Sequence, residues 1–211
     1  EHFACPSLDG AELEAHPTSD GACWGSHWAQ RLFMMDTLAA IGSVVARRSV
    51  NSRVTLAYFE DTGWYKEGYA YAQTAHWGYK AGCAFATGSC ISGGVSASPS
   101  HFCTAPQKDM CIVGRNARGV CRILQYSGQL PARMQYFNDG TLGGSMEELD
   151  YCPIVSPYSN GDCRDAANQD GNSPLYGEVH SGSARCFESS LLQTGYTMGS
   201  GGNRPWSTSC Y

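Results

Sequence analysis

The sequence carries one histidine in a setting suited to chemistry, His27, which follows Gly25 and Ser26 and lies between Trp24 and Trp28. An imidazole can bind a transition metal through one ring nitrogen, or it can transfer a proton near neutral pH. The turn-prone residues before it and the tryptophans around it favour a side chain held on a loop by packing. His27 is therefore the candidate metal ligand. The competing interpretation is a structural histidine whose two ring nitrogens are both hydrogen-bonded within its own domain.

Three other side chains could act together with this histidine. Asp20 and Asp36 flank it in the sequence. A carboxylate at either position could accept a hydrogen bond from the second ring nitrogen, as carboxylates do beside metal-bound histidines, or it could be a solvated loop residue. Cys23 could act as a nucleophile only with a base beside it, and His16 and His27 are the candidates for that base.

The motif that many zinc peptidases use for two metal ligands and a general base is absent. That motif, H-E-x-x-H, needs a glutamate directly after its first histidine, and none of the six histidines is followed by one. The motifs G-x-S-x-G and G-x-G-x-x-G and the Walker phosphate loop are missing as well. Because the chain offers one metal ligand and no assignable base, we expect it to have no peptidase activity by itself.

The elements around His27 are one clear helix and one ambiguous segment. Residues 50–61 are predicted to form the helix, capped by Ser49 and ended by Gly63. One face of this helix is apolar at helical spacing: Val50, Val54, Ala57 and Tyr58. The helix would support the loop that carries His27. The preceding residues, 28–46, suit either a helix or a tight turn.

Further along the chain, residues 64–88 are dense in aromatic side chains, which predicts core and strand positions rather than a carbohydrate- or peptide-binding surface. His76 lies among them without a partner at ligand spacing, so we interpret it as structural. Small polar residues at 87–100 indicate a domain boundary. Beyond it we predict short strands at 119–125, 133–137 and 154–155.

Composition excludes several classes of protein. The 211 residues are 42% hydrophobic and 16% charged, which argues against wholesale disorder. A net charge of −5 and the absence of a basic block argue against nucleic-acid binding. The longest mainly apolar run, Leu38–Ala46, is too short to cross a membrane as a helix. No signal peptide is visible at the start of the sequence.

Cysteine usage indicates the compartment. There are eleven cysteines and no C-x-x-C spacing, which favours a disulfide-stapled protein of the secretory route over a zinc-finger protein. We therefore expect an extracellular or cell-surface location. Because eleven is an odd number, at least one thiol lacks a partner within the chain.

Five sequence stretches carry a resemblance to a known family: GSHW, EDTGWYK, HWGYKAGCAF, LDYCP and ARC. Together they resemble the leishmanolysin family of zinc metallopeptidases, which belongs to the metzincin group, and the similarity covers nearly the whole chain. The resemblance implies a disulfide-rich α+β fold. Residues 1–88 would be the C-terminal part of a metzincin catalytic domain, and residues 89–211 would be a Cys-rich, mainly antiparallel β and loop domain.

The resemblance also implies roles for individual residues. His27 would be the third zinc ligand, and Leu38 stands where the family usually has the methionine of its Met-turn; Met34 and Met35 lie nearby. Zn²⁺ would bind only with the segment that carries H-E-x-x-H, which in the family lies upstream. His27 should then face out of the chain's own core, with Leu38 under its ring and Trp24 and Trp28 beneath the loop. Cys23 would be unpaired, and the implied disulfides are Cys5–Cys83, Cys90–Cys152, Cys103–Cys121, Cys111–Cys186 and Cys163–Cys210.

Two functions remain open at this point. The first is the C-terminal fragment of a secreted or cell-surface zinc metalloendopeptidase, whose partners would be protein or peptide substrates and the remainder of its own parent chain. The second is a non-catalytic, disulfide-rich structural or cell-adhesion module on a degenerate peptidase scaffold. The GSHW sequence favours the first, while Leu38 and the missing motif favour the second.

Overall fold

The computed structural model describes residues 2–14, 25–40, 49–169, 178–188 and 208–211. Within these ranges the α-helices are α1 (Gln30–Phe33), α2 (Arg53–Asp61) and α3 (Cys83–Thr87), and single 3₁₀ turns occur at Tyr69–Tyr71, Ala132–Met134, Glu147–Leu149 and Ala166–Asn168. The strands are β1 (Ile91–Ser92), β2 (Val95–Ser96), β3 (Asp109–Cys111), β4 (Ala117–Cys121), β5 (Leu124–Gln125), β6 (Leu142–Gly143), β7 (Val155–Asp162), β8 (Cys186–Glu188) and β9 (Thr208–Cys210). The disulfide-rich α+β class is confirmed. Across the described ranges, no helix has the length and apolar character needed to cross a membrane.

Helix α2 begins later than the sequence pattern predicts. Its cap is Ser52, whose hydroxyl accepts hydrogen bonds from the backbone N–H groups of Val54 (3.2 Å) and Thr55 (3.4 Å), so Ser49 was the wrong cap. Gly63 follows the helix with a φ of +73°, as predicted for a residue that ends a helix. The predicted apolar face is wrong in part, because Thr55 is the buried residue and Tyr58 is half exposed.

The largest sheet is antiparallel and has the strand order β3–β4–β7. Its central strand, β4, is buried along its whole length. Gly119 in this strand lies so close to β7 that an added Cβ would be 2.3 Å from the carbonyl oxygen of Ser156, so only glycine fits. The pairs β1–β2, β5–β6 and β8–β9 form two-stranded antiparallel sheets.

The predicted strands agree with the structure in part. The prediction at 119–125 spans the end of β4 and all of β5, and the prediction at 154–155 meets the start of β7. The prediction at 133–137 is wrong, because this segment begins in the 3₁₀ turn Ala132–Met134 and then continues without strand pairing. Met134 is buried in the core, so this segment packs its apolar side chain from a turn and not from a strand.

The five disulfides are those that the family resemblance implied: Cys5–Cys83, Cys90–Cys152, Cys103–Cys121, Cys111–Cys186 and Cys163–Cys210. They use ten of the eleven cysteines. The remaining one, Cys23, lies outside the described residues, as do Trp24, Asp20 and His16.

The largest hydrophobic core draws on both sides of residue 88. Trp28, Phe33 and Phe85 come from before this position, and Phe102 and Leu149 come from after it. Two smaller cores contain residues beyond 102 alone, and both are rich in disulfide-bonded cysteines. The division of the chain into domains 1–88 and 89–211 stays a prediction.

The aromatic segment 64–88 is not uniformly buried. Trp77 and Phe85 lie in the core, as predicted. Trp64 and Tyr71 are 84% and 87% exposed, so the expectation of core positions is wrong for them. Both lie in the segment after helix α2, which contains no strand and is mostly exposed to solvent.

Candidate functional site

The loop that carries His27 is held between two other segments of the chain. On one side Leu13 forms an antiparallel bridge with Trp28, and the N–H of Glu14 donates to the carbonyl of His27 at 3.0 Å. On the other side the N–H of Trp28 donates to the carbonyl of Leu38, also at 3.0 Å. Residues opposite each other in an antiparallel pair project to the same side. The side chains of Glu14 and His27 therefore meet.

Beneath the loop, three buried polar side chains join it to helix α2. The indole N–H of Trp28 donates to Thr55 Oγ1 at 2.8 Å, and the Thr55 hydroxyl donates to Asp36 Oδ1 at 2.6 Å. The same carboxylate oxygen accepts the backbone N–H of Leu38 at 2.8 Å. Trp28 thus packs under the loop as expected, and α2 supports the loop through this hydrogen-bonded chain as well as through apolar contact.

The carboxylate beside the imidazole is that of Glu14, which the sequence did not indicate. Glu14 Oε1 lies 2.7 Å from His27 Nδ1. Asp36, one of the two candidates for this role, is instead 1% exposed and bound to Thr55 and Leu38. Both interpretations of Asp36, as the partner of His27 and as a solvated loop residue, are therefore wrong, because its carboxylate is directed into the core beneath the loop.

The His27 ring has one nitrogen engaged and one open. Nδ1 contacts Glu14, and Ser26 Oγ lies 3.5 Å from the same nitrogen. Nε2 makes no hydrogen bond to any residue that the structure describes. The His27 side chain is 45% exposed, whereas that of Glu14 is 12% exposed. The ring is therefore held at Nδ1, while Nε2 has no hydrogen-bond partner among the described residues, which differs from a structural histidine with both nitrogens satisfied.

Three of the other described histidines have different surroundings. His101 Nε2 accepts the backbone N–H of Gly78 at 3.1 Å, and burial lowers the pKa of His101 to about 4, so this ring is neutral at physiological pH. His2 Nε2 donates to the carbonyl of Trp77 at 2.8 Å, and burial lowers the pKa of His2. His76 is exposed at the wall of a cavity of about 490 Å³.

The two methionines and Leu38, which follow His27 in the chain, differ in how deeply they are buried. Met34 is buried in the main core, where its flexible side chain fills space between aromatic rings. Met35 and Leu38 are partly buried against the same core. The Leu38 backbone is bonded to the residue after His27, so it lies close to the loop. The contact of the Leu38 side chain with the imidazole stays a prediction.

A second residue that the sequence did not single out is Arg31 in helix α1. Its guanidinium donates to the carbonyl oxygens of Phe85 (3.2 Å) and Gly88 (3.3 Å), and it lies 3.4 Å from the carboxylate of Asp150 and 3.8 Å from that of Glu12. Arg31 and Glu14 both line a cavity of about 230 Å³ behind the His27 loop. The contacts of Arg31 with Phe85, Gly88 and Asp150 join parts of the chain more than fifty residues apart, so no local sequence pattern could predict them.

Comparison with known proteins identifies the family. A sequence model of the family described as Leishmanolysin matches residues 1–209. The chain belongs to the leishmanolysin family of peptidases. It is 36% identical over 169 residues to a leishmanolysin homolog of Crithidia fasciculata, a match that covers 80% of this chain and 25% of that protein. It is 33% identical over 189 residues to leishmanolysin of Leishmania major, covering 89% of this chain and 30% of that protein.

A relative from an animal shows the same extent of similarity. The chain is 30% identical to a leishmanolysin-like peptidase of Caenorhabditis elegans over 220 aligned positions, which cover 89% of this chain and 32% of that protein. The chain thus spans about a quarter to a third of the length of the curated relatives it matches.

The family is one of zinc metalloproteases, and His27 suits a zinc ligand chemically. A neutral imidazole binds zinc through one nitrogen while the other commonly donates to a carboxylate, and the open Nε2 and the contact with Glu14 match these two roles. A catalytic zinc needs three protein ligands. Among the described residues, however, no group of three or more histidine, cysteine or acidic side chains could hold a metal. His27 therefore fits one position of such a site.

Proposed function

We propose that this chain is part of a zinc metalloendopeptidase that cleaves proteins outside the cell or at its surface. His27 would be one of the three protein ligands of the zinc. The observation that carries the proposal is the orientation of the imidazole, which is held at Nδ1 by a largely buried carboxylate and open at Nε2. Membership of the leishmanolysin family supports it independently.

The residues of this chain would have a positioning task. Zinc, when bound in such a site, supplies a Lewis acid that polarises the scissile carbonyl and activates water. His27 would offer the lone pair of Nε2. The buried chain of Trp28, Thr55 and Asp36 would keep its loop in place against helix α2. The other two ligands and the general base would come from an H-E-x-x-H segment in the remainder of the parent chain.

An extracellular or cell-surface location is supported by the disulfides. All ten described cysteines are bridged. Disulfides of this density persist in oxidising compartments and are rare in the cytosol. Protein or peptide substrates follow from the peptidase family, and the net charge of −5 gives no support for nucleic-acid binding.

The deciding measurement is the zinc content of the parent protein with and without His27→Ala. Loss of one of three ligands should lower zinc occupancy strongly. His76→Ala is the matched control, because His76 is also exposed and, within the described ranges, makes no hydrogen bond to the loop that carries His27. Equal zinc occupancy in the wild type and the His27→Ala variant would refute the ligand role.

A second function is favoured by one specific residue. Leu38 stands where the family usually carries methionine, which suits a scaffold that has lost catalysis and serves as a structural or adhesion module. The two functions differ in one cheap observation, namely whether the reading frame of the parent encodes H-E-x-x-H upstream of Glu1. Absence of that motif from the parent would favour the non-catalytic module.

A further inference from the structure

We propose that Glu14 is the positioning residue for His27. Its carboxylate would keep the imidazole proton on Nδ1 and thereby leave Nε2 as the metal-binding nitrogen. This inference rests on the proposed function of His27 as a zinc ligand, and it adds the residue that fixes the tautomer of that ligand.

The backbone places the two side chains before any ion pair forms. Residues 12–14 run antiparallel to residues 27–29, with the Glu14 N–H bonded to the His27 carbonyl and the Ala29 N–H bonded to the Glu12 carbonyl at 2.9 Å. The segment that carries His27 is fixed from its other side by the bond to Leu38. The position of Glu14 is therefore set by main-chain pairing, and the carboxylate does not depend on the imidazole to reach its place.

The contact between the two side chains is selective for one tautomer. A carboxylate is an acceptor only, so the nitrogen 2.7 Å from Glu14 Oε1 must carry a proton. In a neutral imidazole the second nitrogen then has the lone pair that a metal requires. A free imidazole side chain in water prefers the opposite tautomer, with the proton on Nε2. Glu14 would therefore convert the less favoured form into the dominant one.

The burial of the Glu14 carboxylate separates this contact from an ordinary surface ion pair. Ion pairs between two exposed side chains are weak because water competes for both charges. Here the carboxylate is largely shielded while the imidazole is half exposed. Within the described part of the chain, His27 is the sole side chain that hydrogen-bonds to the Glu14 carboxylate. The shielded carboxylate therefore accepts a side-chain hydrogen bond from His27 Nδ1 alone among the described residues. Hydrogen bonds to an ionised acceptor are stronger than those between neutral groups, which makes the selection effective.

The neighbouring glutamate provides a matched control. Glu12 lies on the same segment and is mostly exposed, with its carboxylate 3.8 Å from the guanidinium of Arg31. Removing the Glu12 carboxylate alters the charge of the segment without touching the imidazole. A change seen in Glu14→Ala and absent in Glu12→Ala is then a property of the contact with His27 and not of the segment as a whole.

The first test reads the tautomer directly and needs no metal. The 211-residue chain is labelled with ¹⁵N-histidine, and the two ring nitrogens of His27 are assigned by comparison with His27→Gln. At pH 8, where an ordinary imidazole is neutral, we expect a protonated Nδ1 and a bare Nε2 in the wild type and in Glu12→Ala. Glu14→Ala should shift the ring towards the Nε2-protonated form.

Three results would overturn the inference: a proton on Nε2 in the wild type, a ring protonated on both nitrogens at pH 8, or an unchanged tautomer in Glu14→Ala. If Glu14→Ala does not fold, Glu14→Gln keeps the shape of the side chain and removes its charge. It must then show less of the Nδ1-protonated form than the wild type, and equal populations would count against the inference.

The second test separates this inference from the proposed function. In the parent protein, Glu14→Ala should weaken zinc binding about 10–100-fold, the usual effect of losing a residue that orients a metal ligand. If His27→Ala lowers zinc occupancy and Glu14→Ala does not, Glu14 has no positioning role and the ligand assignment stands. If neither variant lowers zinc occupancy, it is the proposed function that fails.

Discussion

Replacing Thr55 by valine should cost the protein about 3 kcal/mol of folding free energy. Valine has nearly the shape of threonine, so the substitution removes one hydroxyl and leaves the packing of helix α2 in place. That hydroxyl accepts from the Trp28 indole and donates to Asp36, and all three side chains are buried. Two polar partners therefore lose a hydrogen bond inside the protein.

The magnitude follows from these two losses. A buried donor without an acceptor costs about 1–3 kcal/mol, and a hydrogen bond to a charged group contributes about 1.5–3 kcal/mol. Together the two losses amount to about 2.5–6 kcal/mol. Asp36 keeps the N–H of Leu38 as a donor, so we expect a total in the lower half of this combined range. Since typical domains have only about 5–15 kcal/mol of stability, the loss would be large.

Urea unfolding with the disulfides intact, followed by tryptophan fluorescence, measures the effect. For a slope of about 1–3 kcal/mol per molar urea, the midpoint should fall by about 1 M or more. Thr87→Val is the control, because the Thr87 hydroxyl is exposed and bonds only within helix α3; its effect should stay within about 0.5 kcal/mol. A loss below about 1 kcal/mol in Thr55→Val, or one equal to the control, would refute the account of how α2 holds the His27 loop.

Two further outcomes are expected. The purified 211-residue chain incubated with zinc and casein should show no zinc-dependent cleavage, because it offers one ligand and no base; activity that persists through repurification would contradict this. Burial holds the pKa of His101 at about 4, below the ordinary value near 6.5, while its Nε2 accepts the Gly78 N–H. The unfolded chain therefore binds a proton that the folded chain does not, so the stabilising effect of the neutral ring is complete above pH 6.5 and is lost as the pH falls towards 4. His101→Phe cannot titrate and should lose less stability than the wild type between pH 7 and pH 4.5 in urea unfolding; equal losses would show that His101 is not responsible.

The disulfide framework is the part of the fold that the sequence predicted best. All five bridges match the pairing implied by the family. A cysteine that lies in a family motif such as HWGYKAGCAF can be assigned the partner that the family pattern gives it. The helix after His27 was also predictable, since helical periodicity and a terminal glycine are local signals. Its cap was misplaced by three residues because Ser49 and Ser52 are equally good capping residues and only the fold selects between them.

The residues that support His27 could not be predicted in the same way. Glu14 and His27 are thirteen residues apart and meet through a short antiparallel bridge, which has neither the length nor the alternation of a recognisable strand. Asp36 was the nearer acidic residue in sequence, but a carboxylate on a turn can face either water or the interior. The exposed Trp64 was missed for a related reason, since residue type indicates a preference for burial while the tertiary fold decides it.

The disulfides also decide what happens when the backbone is cut. Between Cys90 and Cys210 the loops closed by the bridges overlap, and Cys5–Cys83 closes a separate loop before them. A single break inside either region leaves all fragments joined through sulfur. The covalent map therefore consists of two rings connected by one short tether, the main chain between Cys83 and Cys90.

The middle of that tether is protected. Phe85 and Ala86 within it are buried, and the guanidinium of Arg31 donates hydrogen bonds to the carbonyl oxygens of Phe85 and Gly88. The peptide bonds next to Phe85 and Ala86 are thus shielded, whereas Ala84, Thr87 and Ser89 leave parts of the tether exposed to a protease. A single nick elsewhere between Cys5 and Cys210 would leave the mass unchanged on a non-reducing gel, and only reduction would reveal it.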